Sequence, residues 1–312
     1  MYIRRGGSVR SAWKLSWVIL LAVTGSVGCA SNESMSLISE YAKQTSQVQE
    51  ELLKVYQTAD EVRINANLVE AARDGVTGKD LQFKTIDNAG QETLLQNLHD
   101  FSQSIYLLST DDRGESLDNN SEKLNDSLMS LAENSQVNGI DSKQVEIISV
   151  SVNALARAYT ERARYQYLKQ ILIDSQPVIQ SSFDSLNGEL EAWKTATKVS
   201  LEKELRIRLF LLNNPNLCES RDDAKCVNYY HSLEERVDAY RKAYALKSHI
   251  IHLDAQFSKL EKALKTIQNL NISVVNSLNE DDDFSKAAAK KAIKSTQKQI
   301  DAIKEFRNKL KD

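Results

Sequence analysis

Residues 41–73 read YAKQTSQVQEELLKVYQTADEVRINANLVEAAR. Tyr41, Val48, Val55, Val62 and Val69 stand seven apart, and Thr45, Leu52, Ala59 and Ala66 fall between them. A spacing that alternates three and four is that of an α-helix laying one apolar stripe along another helix. The phase reaches back to Ile38, and neither proline nor glycine interrupts it. At 1.5 Å per residue, a helix over 36–73 makes a rod of about 57 Å. Such a rod needs other long helices to cover its stripe.

The remaining sequence supplies them. The 312 residues contain only two prolines, Pro177 and Pro215, and ten glycines. So few breakers among so many Ala, Leu, Glu, Lys and Gln residues predict an almost all-helical chain. Gly75, Gly78 and Gly90 mark a turn over 74–90, and shorter helices follow at 91–110 and 117–134, separated by DDRGES. The next helix spans 142–173, capped at Asp141 or Ser142. Its opening, VEIISVSV at 145–152, is β-branched enough for a strand, but Val145, Ile148, Val152 and Leu155 keep helical spacing. Pro177 lacks an amide hydrogen, so a turn is expected at 174–176, with Ser175 capping a helix that runs to Leu212; a kinked continuous helix is the alternative.

The longest helix is expected at 224–278. Tyr230, Leu233, Val237, Tyr240 and Tyr244 form one seam, and Ile250, Leu253, Phe257, Leu260, Leu264 and Ile267 form another. The phase slips by one residue near Lys247, a local change in supercoil. Acidic residues at 280–283 suit the amino end of a last helix over 284–312, whose stripe is Ile293, Ile300, Ile303 and Leu310. The expected fold is all-α, a single elongated antiparallel helical bundle with long coiled-coil helices over 36–312.

The amino terminus carries an address. Arg4, Arg5, Arg10 and Lys14 lead an uncharged stretch from Leu15 to Gly28. That stretch is shorter than the roughly 20 residues that span a bilayer, and it has the layout of a secretory signal. Ser26-Val27-Gly28-Cys29 closes it. This ending resembles the lipobox of bacterial lipoproteins, with Ser26 where Leu or Val is usual. The resemblance implies a diacylglycerol on the Cys29 thiol, removal of residues 1–28, acylation of the new amino end, and a short tether over 29–35. It implies a Gram-negative cell envelope. Ala30, rather than Asp, after the cysteine points to the outer membrane, periplasmic face, over the inner one. An uncleaved anchor or a plain secretory signal with a free cysteine are the alternatives. Several acyl chains hold firmly where one holds only marginally. Loss of the leader takes the formal net charge from −3 to −7, which argues against a general nucleic-acid binder.

With Cys29 acylated, Cys218 and Cys226 remain, and an even pair in an exported chain reads as a disulfide. So small a loop gains on the order of 2–3 kcal/mol by closure. The rival is a metal site, but His231 is its only further candidate ligand nearby. His249 and His252 are three apart on one helix face, with no carboxylate placed to complete a zinc set. Tyr159, Tyr165 and Tyr167 among Arg157, Arg162 and Arg164 fit interhelical stacking and ion pairing, with a nucleic-acid strand as the weaker alternative. The basic carboxyl-terminal helix fits a bundle helix with a solvated lysine face; contact with a lipid surface is its alternative. No phosphate loop, HEXXH or serine elbow occurs.

The chain is therefore read as non-catalytic, without cofactor, metal or small-molecule substrate. Its partners are membrane lipid, through acylated Cys29, and another envelope protein, through coiled-coil faces. The expected function is that of a lipid-anchored helical scaffold in the envelope, resembling helical lipoproteins of Gram-negative bacteria. The alternative is a helical, cytolysin-like membrane-active protein, for which VEIISVSV is the only candidate inserting segment.

Overall fold

The computed structural model describes residues 12–74, 88–110, 116–134, 142–158, 160–214, 216–217, 227–228, 230–280 and 282–311. Within them, side chains are described from Glu33 onward, except at 116–118, 142–144, 216–217, 227–228 and 311. The fold is all-α. The helices are α1 (Ala12–Asp74), α2 (Ala89–Thr110), α3 (Ser116–Glu133), α4 (Ser142–Ala156), α5 (Glu161–Asn213), α6 (Leu233–Glu280) and α7 (Asp283–Lys311). A two-residue antiparallel pair, β1 (Asn216–Leu217) with β2 (Val227–Asn228), sits between α5 and α6.

The helices close two cycles. In one, α1 packs on α7, α7 on α6, α6 on α5 and α5 back on α1. In the other, the path runs α1, α2, α3, α4, α5 and back to α1. Helices α1 and α5 thus form the wall common to both. A helix with a partner on one side buries one stripe, whereas a wall between two cores must bury two. Along α1 the buried residues come in adjacent pairs: Leu37 and Ile38, Tyr41 and Ala42, Thr45 and Ser46, Val48 and Gln49, Glu51 and Leu52, Val55 and Tyr56, Thr58 and Ala59. Helix α5 repeats this at Ile171 and Leu172, Val178 and Ile179, and Ser182 and Phe183. Helix α7, at the rim, buries the single stripe of Ala289, Ile293, Thr296, Ile300, Ile303, Phe306 and Leu310.

Several buried hydroxyls on the two wall helices are satisfied within their own helix. Thr45 donates to the Tyr41 carbonyl at 2.7 Å, Thr58 to Lys54 at 2.8 Å, Ser182 to Val178 at 2.8 Å and Thr197 to Trp193 at 2.9 Å. A small polar residue can then be buried without an orphaned donor.

Ion pairs and polar bridges fix the directions. Lys290 pairs with Glu33 and Arg307 with Glu51, so α1 and α7 run parallel in one register. Lys203 reaches Glu70 and Asn67 while Trp193 stacks on Tyr56, so α5 also runs with α1. Helix α6 runs against both α5 and α7: Gln180 donates to the Gln268 carbonyl at 3.1 Å, and Lys259 faces Glu305 at 3.8 Å. One aromatic ring from each helix of the first cycle meets at mid-height. Tyr56 of α1 stacks on Trp193 of α5 at 4.8 Å; Trp193 meets Phe257 of α6 edge-on at 4.9 Å and Phe306 of α7 at 6.0 Å; Phe257 and Phe306 are 5.1 Å apart. All four are buried.

Three expectations are corrected. The turn at 174–176 is absent, because α5 continues through Pro177. The proline ring is exposed, while Ser175, Val178 and Ile179 on either side are buried. The Ile173 carbonyl that loses its helical donor costs less than giving up the packing of both flanks. The break falls instead at 157–160. The amides of Arg157 and Ala158 bond three residues back, and Thr160, extended at φ −121° and ψ 145°, accepts the Ala163 amide at 3.2 Å. Finally, α6 begins at Leu233 rather than 224, because Val227 and Asn228 pair with Leu217 and Asn216. At 48 residues it is shorter than α5, with 53.

The VEIISVSV segment lies in helix α4, with Ile148, Val152 and Leu155 buried and Ile147 and Val150 exposed. Of the turn expected over 74–90, Asp74 belongs to α1 and Gly90 to the first turn of α2; residues 75–87, 111–115 and 135–141 lie outside the described residues. Residues 29–35 are helical within α1, and Ser34 is already buried.

Trp193→Ala should lower unfolding free energy by about 3–5 kcal/mol in a urea titration, because it removes the ring that three others touch. Pro177→Ala should raise it by about 1–3 kcal/mol by restoring one helical bond at an exposed position. A loss of stability in Pro177→Ala would contradict a continuous α5.

Candidate functional site

The two seams of α6 have different fates. Leu253, Phe257, Leu260, Leu264 and Ile267 are buried in the first cycle. Of the earlier seam, Tyr230 is half-buried and the rest is open: Leu233 is 72% exposed and Tyr244 76%, Val237 and Tyr240 are exposed as well, and Ile251, seven beyond Tyr244, is 65% exposed. Helical phase explains the division: the earlier seam lies on the face of α6 opposite Leu253, Phe257 and Leu260, a face that stays exposed farther along at Asp254, Ser258, Glu261 and Lys265. Phe306 packs on Phe257 and the two helices run in opposite directions, so the end of α7 at Lys311 stands about level with His252. Amino-terminal to that level, α6 has α5 beside it and no described residue of α7. The slip in phase near Lys247 is the point where the apolar stripe passes from the solvent face of α6 to its core face.

Helix α6 still holds to α5 along this reach. Ala243 is buried and Ala239, Leu246 and Ile250 are half-buried on the side toward α5. Arg236 donates to the Leu212 carbonyl at 3.4 Å, meeting an acceptor left over at the end of α5. The start of α6 is capped in both directions. The Glu235 amide donates to the Ser232 hydroxyl at 3.1 Å, and the Glu235 carboxylate accepts the His231 amide at 2.7 Å. Tyr230, just before the cap, has its phenol pushed above the usual range, chiefly by burial. The seam is thus displayed on a fixed helix.

Because the Glu33–Lys290 pair sets the start of α7 and the end of α6 beside the amino-terminal part of α1, the open seam lies at the opposite end. The 48 residues of α6 separate the two levels by about 72 Å. On the flank of α6 facing the first cycle, an open cleft of about 410 Å³ is lined by Asn65, Glu204, Arg208, Arg241, Lys242 and His249, among others. Its buried carboxylate is matched from within, since Glu204 pairs with Arg208 at 2.6 Å.

The other singled-out residues are structural or lie outside the description. The Cys29 side chain, Cys218 and Cys226 lie outside the described residues. Asn216 is opposite Asn228 and Leu217 opposite Val227. His99 Nδ1 lies 3.1 Å from the Ser46 carbonyl and 3.2 Å from the Ser46 hydroxyl, joining α2 to α1. His249 lines the cleft and His252 is exposed; among the described residues no three His, Cys, Asp or Glu side chains form a metal-sized group. Arg164 is buried and donates to the Leu108 carbonyl at 2.6 Å, closing the carboxyl end of α2, while Tyr165 and Tyr167 pack on the core. The sequence flagged the open seam as apolar but held no sign that it would stay uncovered, because that depends on which face of α6 the other helices cover.

No protein-family model, curated protein or solved structure matches this chain.

Tyr240→Ser and Tyr244→Ser should each change unfolding free energy by no more than about 0.5 kcal/mol, as expected of exposed positions. A loss of 2 kcal/mol or more, on the order of a buried substitution, would mean that the seam is covered within the chain.

Proposed function

We propose that the protein is a lipid-anchored cell-envelope scaffold, held at the outer membrane through acylated Cys29, with no catalytic activity of its own. Support for the anchor comes from the basic leader, the uncharged stretch and the Ser26-Val27-Gly28-Cys29 ending. The observation that carries the scaffold role is the open heptad seam on α6, at the end remote from Cys29. An apolar, tyrosine-rich stripe at helical spacing fits the side of another helix. Placed about 70 Å from the anchor, it would meet partners well away from the bilayer.

A disulfide between Cys218 and Cys226 belongs to the same reading. It would close the chain between the paired β1 and β2, and so brace the link between α5 and α6 beneath the seam. The membrane-active alternative has less to support it. The segment it would insert, 145–152, is part of helix α4, and among the described residues no helix is long and apolar enough to cross a membrane.

Mass spectrometry of the native amino-terminal peptide should find it starting at Cys29 and carrying acyl chains. Cys29→Ser should move the protein from the membrane to the soluble fraction. A peptide without acyl groups from a protein that stays in solution would overturn the anchor.

A further inference from the structure

We infer that the open seam of α6 is the pairing surface for a second copy of this chain, in antiparallel register. The inference builds on the seam as an interaction surface and names its occupant.

The heptad geometry carries it. Val237 and Tyr244 occupy one core position of the repeat, and Leu233 and Tyr240 the other. One flank of the seam lies toward α5: Ala243 is buried, Ile250 half-buried, and the exposed Arg236 donates to the Leu212 carbonyl of α5. The open flank holds Glu234, Arg241 and Ser248, all solvent-facing or half-buried. When two such seams meet head to tail, Leu233 lies on Tyr244 of the second copy and Val237 on its Tyr240, each twice by symmetry. Every core layer then sets a tyrosine against an aliphatic side chain. The open flanks also meet, and Glu234 of each copy faces Arg241 of the other. Arg241 is free to take that role, because its pairing with Asp238 at 2.8 Å is fully at the surface.

The parallel register is worse on both counts. It sets Tyr240 on Tyr240 and Tyr244 on Tyr244, and it brings Arg236 of one copy to Arg241 of the other, where like charges repel. It also pushes the open flank of each copy toward the flank occupied by α5. In the antiparallel register both α5 helices fall on the same side. The stripe toward α5 and the open seam are one residue apart in sequence, hence about 100° apart around α6. The two α6 and two α5 helices therefore form a square of four, each antiparallel to its neighbours. Leu209 of α5, exposed and level with Tyr240, stands at the mid-height of that square. The contact is short, so the dimer is weak by the standard of permanent interfaces. In this register the amino-terminal ends of the two copies point away from each other.

Sedimentation of the intact mature protein in detergent, from about 1 to about 100 µM, should show a monomer–dimer equilibrium. Arg241→Glu should weaken it by about tenfold or more, by placing Glu234 opposite a second acid. The double variant Glu234→Arg/Arg241→Glu should restore it, since the same pairs form with their signs exchanged. Leu233→Cys/Tyr244→Cys should give an oxidised covalent dimer, and Tyr244→Cys alone should not. A monomer at every concentration, no rescue by the charge exchange, or a covalent dimer from Tyr244→Cys alone would each overturn the inference. Those results leave the anchor untouched, because membrane attachment is read separately from the Cys29 peptide.

Discussion

The contact on which the first cycle depends is that of Trp193 with three other rings. Helices α1, α5, α6 and α7 each send one aromatic side chain to the same level, and Trp193 touches all the others. Rings of this size bury a large apolar area and prefer a few relative orientations, so they fix heights as well as distances. With Tyr56 and Trp193 stacked and Phe257 edge-on to Phe306, none of the four helices can slide by a turn without breaking the cluster. The ion pairs Glu33–Lys290 and Glu51–Arg307 agree with that register, but one is exposed and worth little by itself.

Helical phase and the same register together decide what is left open. Once Phe306 is level with Phe257, α7 ends near His252, and the first five turns of α6 stand beside α5 without a third neighbour. The stripe of Leu233, Val237, Tyr240 and Tyr244 points away from the core of the first cycle and is left as surface. The reciprocal cap at Ser232 and Glu235 and the contacts of Ala243 with α5 keep the helix formed there. A preformed, apolar helix face loses little conformational freedom on binding, which suits a docking surface.

Some failures of reading by sequence have clear causes. The heptad stripe of α1 was visible, but Tyr56 lies one residue beside it and Phe306 lies three beyond Ile303 in a basic helix, so neither was marked as core. The available sign was adjacent apolar or small pairs, as at Val55 and Tyr56, which a helix with one buried face does not need. Pro177 misled because helix propensity is a local quantity. A proline facing solvent leaves the flanking Ser175, Val178 and Ile179 free to pack. The break before Thr160 carries no proline or glycine to mark it; its only sign is that the stripe of Ile148, Val152 and Leu155 ends there.

By itself the sequence determined that the chain is helical, where most helices lie, which residues make their stripes, and that α6 changes phase near Lys247. These follow from local physics, because a period of 3.6 residues, a cap or a glycine acts within a turn or two of chain. Only the tertiary structure decided that α1 and α5 are buried on two sides, that α5 survives its proline, and that one seam of α6 is filled and the other empty. Each of these depends on which helix lies beside which and at what height, a matter settled between residues some 50 to 250 positions apart, such as Ser46 with His99 or Glu51 with Arg307.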